Sequence, residues 1–231
     1  MSEVFDIKAP TSWGQVSKSQ LLDVAALIDA KLDRDTLLLV LFCRLSGLSI
    51  INDGDRPVFT DGRRRFRLKP YELRQFCDSV AFIIDERPSG VPNPTKVSGH
   101  LIDVRFGDYF QADALVDQYE RSGDTRLIKR ALRRLGDRRL LLSKVMANAV
   151  MLWWFGVRSF LKDRYPNVFA DSQGDGPQKS SYEVLQDILL MLNDNRPQDN
   201  RLIEDSDVHS VLSALNNKID ISKRQAEIFK T

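Results

Sequence analysis

The chain has 231 residues, 42% of them hydrophobic and 29% charged, values that suit a folded protein with a sizeable core and exclude a disordered chain. Its net charge is +2, so global charge names no partner and any electrostatic argument rests on local clusters. The opening Met1-Ser2-Glu3-Val4-Phe5-Asp6 lacks the basic and apolar regions of a secretory leader, and Cys43 and Cys77, each among apolar neighbours, read as reduced core residues.

Mainly helical (α+β) structure is expected. Ser17-x-x-Gln20 is a capping-box pattern, and Leu21, Val24, Ala25 and Ile28 follow at helical spacing, which predicts a helix to Leu32. A second helix is expected over Asp35–Ser46, apolar on all sides from Leu37 to Phe42 and stopped at Gly47. A small antiparallel sheet is predicted near residues 49–68: strands at Ser49–Ile51, Pro57–Thr60 and Arg64–Leu68, the last two joined by a type I′ turn at Asp61-Gly62. Pro70 suits a first helical position, with Leu73, Phe76, Cys77, Val80 and Ile83 as the buried face.

The proline-rich stretch Arg87–Lys96 reads as a loop or boundary, and His100–Phe106 as one more strand. Helices are predicted over Gln111–Arg121, Thr125–Leu135 and Arg138–Arg164, the last of them long and apolar but interrupted by Lys144, Asn148 and Arg158, which suits a buried helix rather than a membrane span. Asp171–Ser181 reads as a flexible loop, followed by helices near Tyr182–Leu192 and Asp207–Ile219 with a polar linker between them. The organisation expected is an N-terminal helical part with the hairpin (1–90), a central helical part (91–170) and a C-terminal part (171–231), or one domain containing all three. The core should gather around Leu38, Val40, Leu41, Phe42, Phe76, Val80, Val145, Ala149 and Trp153.

The sharpest local feature is Thr125–Leu135. Arg126, Lys129, Arg130, Arg133 and Arg134 share one side of a helical wheel, the other side is apolar, no acid lies within, and Arg138 and Arg139 lengthen the cluster. Such a face holds an acidic protein surface or phosphates, or is neutralised by the chain's own Glu183, Asp187, Glu204, Asp205 and Asp207. A second cluster, Arg63, Arg64, Arg65 and Arg67, falls on the hairpin, where it blunts a sheet edge or enters a nucleic-acid groove. Of Trp153 and Trp154, one is expected in the core and the other there too or at a subunit interface.

No catalytic, cofactor-binding or metal-binding residues are assigned. Asp171-x-Gln173-x-Asp175-Gly176 is a poor calcium loop, since its twelfth position is Tyr182 where a bidentate Glu is needed. His100 and His209 have no ligand at metal-binding spacing, and the shared face of Asp113 and Asp117 does not by itself make a catalytic pair.

Three segments resemble an uncharacterised family encoded in bacterial prophages and related mobile elements: Ala9-Pro10-Thr11-Ser12-Trp13 leading to Gln20-Leu21; Phe42-Cys43-Arg44-Leu45-Ser46-Gly47-Leu48; and Leu152-Trp153-Trp154-Phe155-Gly156-Val157-Arg158-Ser159-Phe160, followed by Tyr165-Pro166-Asn167-Val168-Phe169. The resemblance implies a role in tail assembly, in the cytoplasm of a bacterial host or in the phage particle. The expectation is a non-enzymatic protein that binds a protein partner, with no cofactor and no membrane; the alternative is a nucleic-acid-binding accessory protein using its basic surfaces.

Overall fold

The computed structural model describes residues 7–53, 56–138, 142–169, 181–193 and 196–228. In chain order its elements are α1 (Lys18–Leu27), α2 (Arg34–Ser46), β1 (Ser49–Asp53), β2 (Arg56–Thr60), β3 (Arg65–Phe66), α3 (Pro70–Ser79), α4 (Phe82–Asp85), α5 (Phe106–Ser122), α6 (Thr125–Arg134), α7 (Lys144–Arg164), α8 (Ser181–Leu192), α9 (Asn200–Asp205) and α10 (Val208–Ile228). The protein is mainly helical with one small antiparallel sheet of order β1-β2-β3. Among the described residues no helix is long and apolar enough to cross a membrane. The chain divides into two compact units, residues 1–94 with 144–156 and residues 95–143 with 157–231, so α7 supplies its first part to one unit and its last part to the other.

In the first unit Ser17 caps α1 with a complete capping box: its hydroxyl accepts from the Gln20 N–H at 3.2 Å, and the Gln20 side-chain oxygen accepts from the Ser17 N–H at 2.9 Å. This helix ends at Leu27, short of the expected Leu32. Asp33 caps α2 by accepting from the Thr36 N–H, and α2 closes at Gly47, whose φ of 72° lets the Leu48 N–H reach the Cys43 carbonyl at 2.8 Å.

The predicted sheet is present, but its turn differs. A type I′ turn needs positive φ at both central residues, and within residues 61–64 only Gly62 has it (86°). Thr60 pairs with Arg65, which leaves a four-residue loop. The Asp61 carboxylate accepts from the Arg63 and Arg64 N–H groups at 2.8 and 2.7 Å, so a side chain satisfies the backbone that a tight turn would have paired. Beneath the loop Phe66 stacks on Phe59, ring centroids 6.1 Å apart, and both are buried.

The core of this unit contains Leu38, Leu41, Phe42, Val80, Ala149 and Trp153, all buried as expected, whereas Val40, Phe76 and Val145 are half-buried. On α3 and α4, Leu73, Cys77 and Ile83 are also only half-buried, because these short helices cover the core at its margin. Trp153 and Trp154 are both buried, with rings 5.8 Å apart in an edge-on arrangement; neither is available to a subunit interface. Buried Asn148 donates to the Ala25 carbonyl at 3.1 Å and to Asp29 Oδ2 at 3.2 Å, tying α7 to α1. Gly156 sits so close to Val91 that a Cβ there would lie 3.2 Å from Val91 Cγ2.

In the second unit α5 and α6 lie alongside each other, and α9 and α10 also pack on α5. At Gly107 a Cβ would lie 3.2 Å from the Glu204 Cβ, so α9 approaches α5 closely. The strand expected at His100–Phe106 is absent. His100, Leu101 and Asp103 have φ of 55°, 61° and 63°, a left-handed conformation incompatible with an extended strand. Only Arg105 bridges, to Asp207, flanked by the Phe106 N–H to the Ser206 carbonyl and the Val208 N–H to the Val104 carbonyl, each 2.9 Å. The long helix begins at Lys144 rather than Arg138; Arg138, Leu142 and Ser143 are not helical. The polar linker contains α9, and α10 continues well past Ile219. Most of the loop expected at Asp171–Ser181, and with it the weak calcium pattern, lies outside the described residues.

Candidate functional site

Residues of α6 acquire their orientation from both helix ends. The Asp124 carboxylate accepts from the Arg126 N–H at 3.0 Å. At the other end Gly136 (φ 88°) allows the Asp137 N–H to reach the Leu132 carbonyl at 2.8 Å and the Gly136 N–H to reach the Arg133 carbonyl at 3.2 Å, the double bond of a Schellman closure. Ile128, Ala131 and Leu132 are buried against the unit's core. The basic residues are thereby turned outward, and Arg133 and Arg134 occupy the last turn, where the helix dipole favours cations.

Between α5 and α6 runs an open groove of about 510 Å³. One wall is Arg130, Arg133 and Arg134 of α6; the other is Gln111, Ala114, Leu115 and Gln118 of α5. The α5 positions follow i, i+3, i+4, i+7, a single helical face. The acids of α5, namely Asp108, Asp113, Asp117 and Glu120, are not among the lining residues. An arginine wall thus faces a wall of two amides and two apolar side chains, with Asp108 of α5 reaching Arg134 beside it. Arg130 stands three and four residues from Arg133 and Arg134, so it is repelled by each of them by about a few tenths of a kcal/mol.

The remaining predicted residues of this cluster are distributed around the groove. Arg126 is exposed and meets Asp124 at 3.6 Å, and Arg134 meets Asp108 at 3.9 Å. Lys129 is half-buried and already engaged by a neighbour. Arg138 is exposed beyond the helix end, and Arg139 lies outside the described residues. Of the C-terminal acids considered as internal partners, Asp205 pairs with Arg105 at 3.2 Å and Arg201 at 3.7 Å, and Asp207 accepts from the His209 and Ser210 N–H groups. The Glu183 side chain lies outside the described residues. The hairpin arginines Arg63, Arg64, Arg65 and Arg67 are all exposed and belong to the other unit.

Sequence reasoning found the arginine wall but missed the α5 wall. Its signal was present: Gln111, Ala114, Leu115 and Gln118 form one face of a helix whose opposite side carries Asp113, Asp117 and Glu120, with Asp108 at the near end.

Other polar constellations in the chain serve the fold. Arg158 bridges Asp113 at 2.7 Å and Asp117 at 2.6 Å; burial works against its charge, but the two carboxylates outweigh that and hold its pKa above the ordinary value. The two acids are therefore an ion-pair site for one arginine. Burial pushes the Cys43 thiol up to about 11 and raises that of Cys77, which makes both poor nucleophiles at neutral pH. Among the described residues no three His, Cys, Asp or Glu side chains come together as a metal-binding group. Comparison of the chain with protein-family models, with curated proteins and with solved structures gives no match.

Proposed function

We propose that this chain is a non-enzymatic protein-binding protein, with the α5–α6 groove as the seat for an acidic, amphipathic segment of its partner. The observation that carries this reading is the pairing of an arginine wall on α6 with an α5 wall of two amides and two apolar side chains, where Asp108 reaches Arg134 alone of the three arginines. Guanidinium groups take carboxylates in bidentate fashion. Ala114 and Leu115 offer contact to an aliphatic side chain, which a phosphodiester backbone cannot use. Gln111 and Gln118 present amide donors and acceptors to a partner's backbone. An acidic occupant also relieves the repulsion of Arg130 by Arg133 and Arg134.

The resemblance of three segments to a prophage-encoded family supplies the class of partner: components of a phage-type tail, with this chain as an assembly chaperone or minor structural part in the cytoplasm of a bacterial host or in the particle. The test uses a synthetic amphipathic helix bearing Glu and Leu at alternating one-turn spacing, titrated calorimetrically into wild type and into R130Q/R133Q/R134Q. Wild type is expected to bind and the triple variant to lose binding while melting unchanged. Copurification of coexpressed tail-tube or tape-measure protein should be lost with the same variant. Equal peptide binding by both proteins would remove the groove from the reading. Tight duplex DNA binding through these three arginines would favour the nucleic-acid alternative.

A further inference from the structure

The hairpin arginines present a different surface from the groove. Arg63 and Arg64 lie in the β2–β3 loop, Arg65 opens β3, and Arg67 follows it; all four are exposed. Among the described residues no ion pair or side-chain hydrogen bond engages Arg63, Arg64 or Arg65. The neighbouring acid, Asp61, points its carboxylate at the loop's own backbone, and the Arg64 and Arg63 N–H groups hold its pKa below the ordinary carboxylate value. The Thr60 hydroxyl likewise accepts from the Gly62 N–H at 3.1 Å. The loop is therefore pre-shaped by its own side chains, and Phe59 and Phe66 anchor it from below.

Blunting of a sheet edge does not account for this cluster. Edge protection requires charge along the edge strand, but β3 comprises only Arg65 and Phe66, and Arg63 and Arg64 stand in the loop, where there is no edge to protect. An acidic protein partner does not fit well either. Protein interfaces are centred on apolar or aromatic anchors, and here the two aromatic rings are buried while residues 61–65 are all exposed and hydrophilic or glycine. Concentrated positive charge without an apolar anchor suits a phosphate backbone, where binding is driven by release of counterions.

We infer that the β2–β3 loop is a separate site for the phosphate backbone of a nucleic-acid duplex, held through Arg63, Arg64 and Arg65. This site is independent of the α5–α6 groove and does not rest on the reading given for it.

The test is fluorescence anisotropy with the full chain, a labelled mixed-sequence DNA duplex and its RNA counterpart, across a salt series. For wild type, affinity should fall steeply with salt. In R63Q/R64Q/R65Q the slope of log Kd against log salt on B-DNA should decrease by about 2–3, since each phosphate contact contributes about 0.9. The charge-preserving R63K/R64K/R65K should keep the wild-type slope. Should the triple Gln variant fold poorly, R63Q and R65Q alone should each lower the slope by about 1. The duplex with the larger loss identifies the nucleic acid. The groove variant R130Q/R133Q/R134Q should bind duplex like wild type, which separates this site from the other. No duplex binding by wild type, an unchanged slope in the Gln variants, or tighter capture of poly-glutamate than of duplex by these arginines would overturn the assignment.

Discussion

The phenol oxygen of Tyr165 lies 2.9 Å from Nδ1 of His209. On the far side of the same ring Nε2 is 2.6 Å from the His100 carbonyl oxygen, which can only accept. Nε2 therefore carries a proton, and in the neutral ring Nδ1 accepts from Tyr165. Through this ring α10 is tied both to the chain just after α7 and to the left-handed segment at His100–Asp103. Tyr165→Phe removes one donor while keeping the buried ring, and should destabilise the protein by about 1–2 kcal/mol, read as a lower midpoint in denaturant. An unchanged midpoint would show that the tie is not energetically used.

Arg158 is the shared cation of Asp113 and Asp117, and its side chain and both acids are about one-third exposed or less. Arg158→Met removes the cation that two half-buried carboxylates share. Loss of one partner of a fully buried pair costs about 3–5 kcal/mol; partial solvation here reduces that to about 2–3 kcal/mol. The double replacement D113N/D117N in the Met background should recover most of the loss, because it removes the uncompensated charge. Thermal melts of the three proteins check both statements.

Gly156→Ala brings a methyl group to 3.2 Å from Val91 Cγ2. The helix gains about 1 kcal/mol from alanine's propensity, and crowding against Val91 opposes it. In a Val91→Ala background the contact with Cγ2 is removed while that with Cβ, at 3.3 Å, stays, so crowding is eased and the same Gly156→Ala change should be more favourable than it is in wild type. A double-mutant cycle that shows simple additivity would place the two residues out of contact.

Stability should fall in acid, with a sign set by three exposed carboxylates. Asp33, held by the Thr36 hydroxyl and N–H, Asp61, held by the Arg64 and Arg63 N–H groups, and Asp85, held by the Arg34 hydrogen bond, all have pKa values below the ordinary one in the folded chain. A group whose folded pKa is lowered stabilises fully above its unfolded value and loses that contribution as pH falls through the folded value. Melting temperature should thus decline below about pH 4, and Asp85→Asn should make the decline shallower. Added salt should weaken the Arg34–Asp85 share and leave the Asp33 and Asp61 shares, whose partners are mainly neutral donors.

Local signals in the sequence were read correctly where local chemistry decides the structure. The Ser17–Gln20 capping box, the closure at Gly47 and the start at Pro70 depend on residues within one turn, and each is found. The Asp61-Gly62 pair fits two loop lengths, and the choice between them is made by the reach of the Asp61 carboxylate to the Arg63 and Arg64 N–H groups. The strand expected at His100–Phe106 is absent because His100, Leu101 and Asp103 take left-handed φ, a conformation that alternation of residue types does not encode, and the one bridge, from Arg105, goes to the distant Asp207. The groove shows the same division. The arginine wall is written in α6 alone, whereas Gln111, Leu115 and Gln118 look like ordinary helix residues until α6 lies beside them.

The division of α7 between the two units has a consequence for the order of synthesis. The first unit needs Ala147, Val150, Trp153 and Trp154, which emerge from the ribosome long after Pro94. At about 5–20 residues per second, the nascent chain waits about 3–12 seconds between completing Pro94 and supplying Gly156. During that interval the first unit lacks the α7 residues that complete it, so the early part of the chain is a candidate client for a holdase while residues 95–143 are being made.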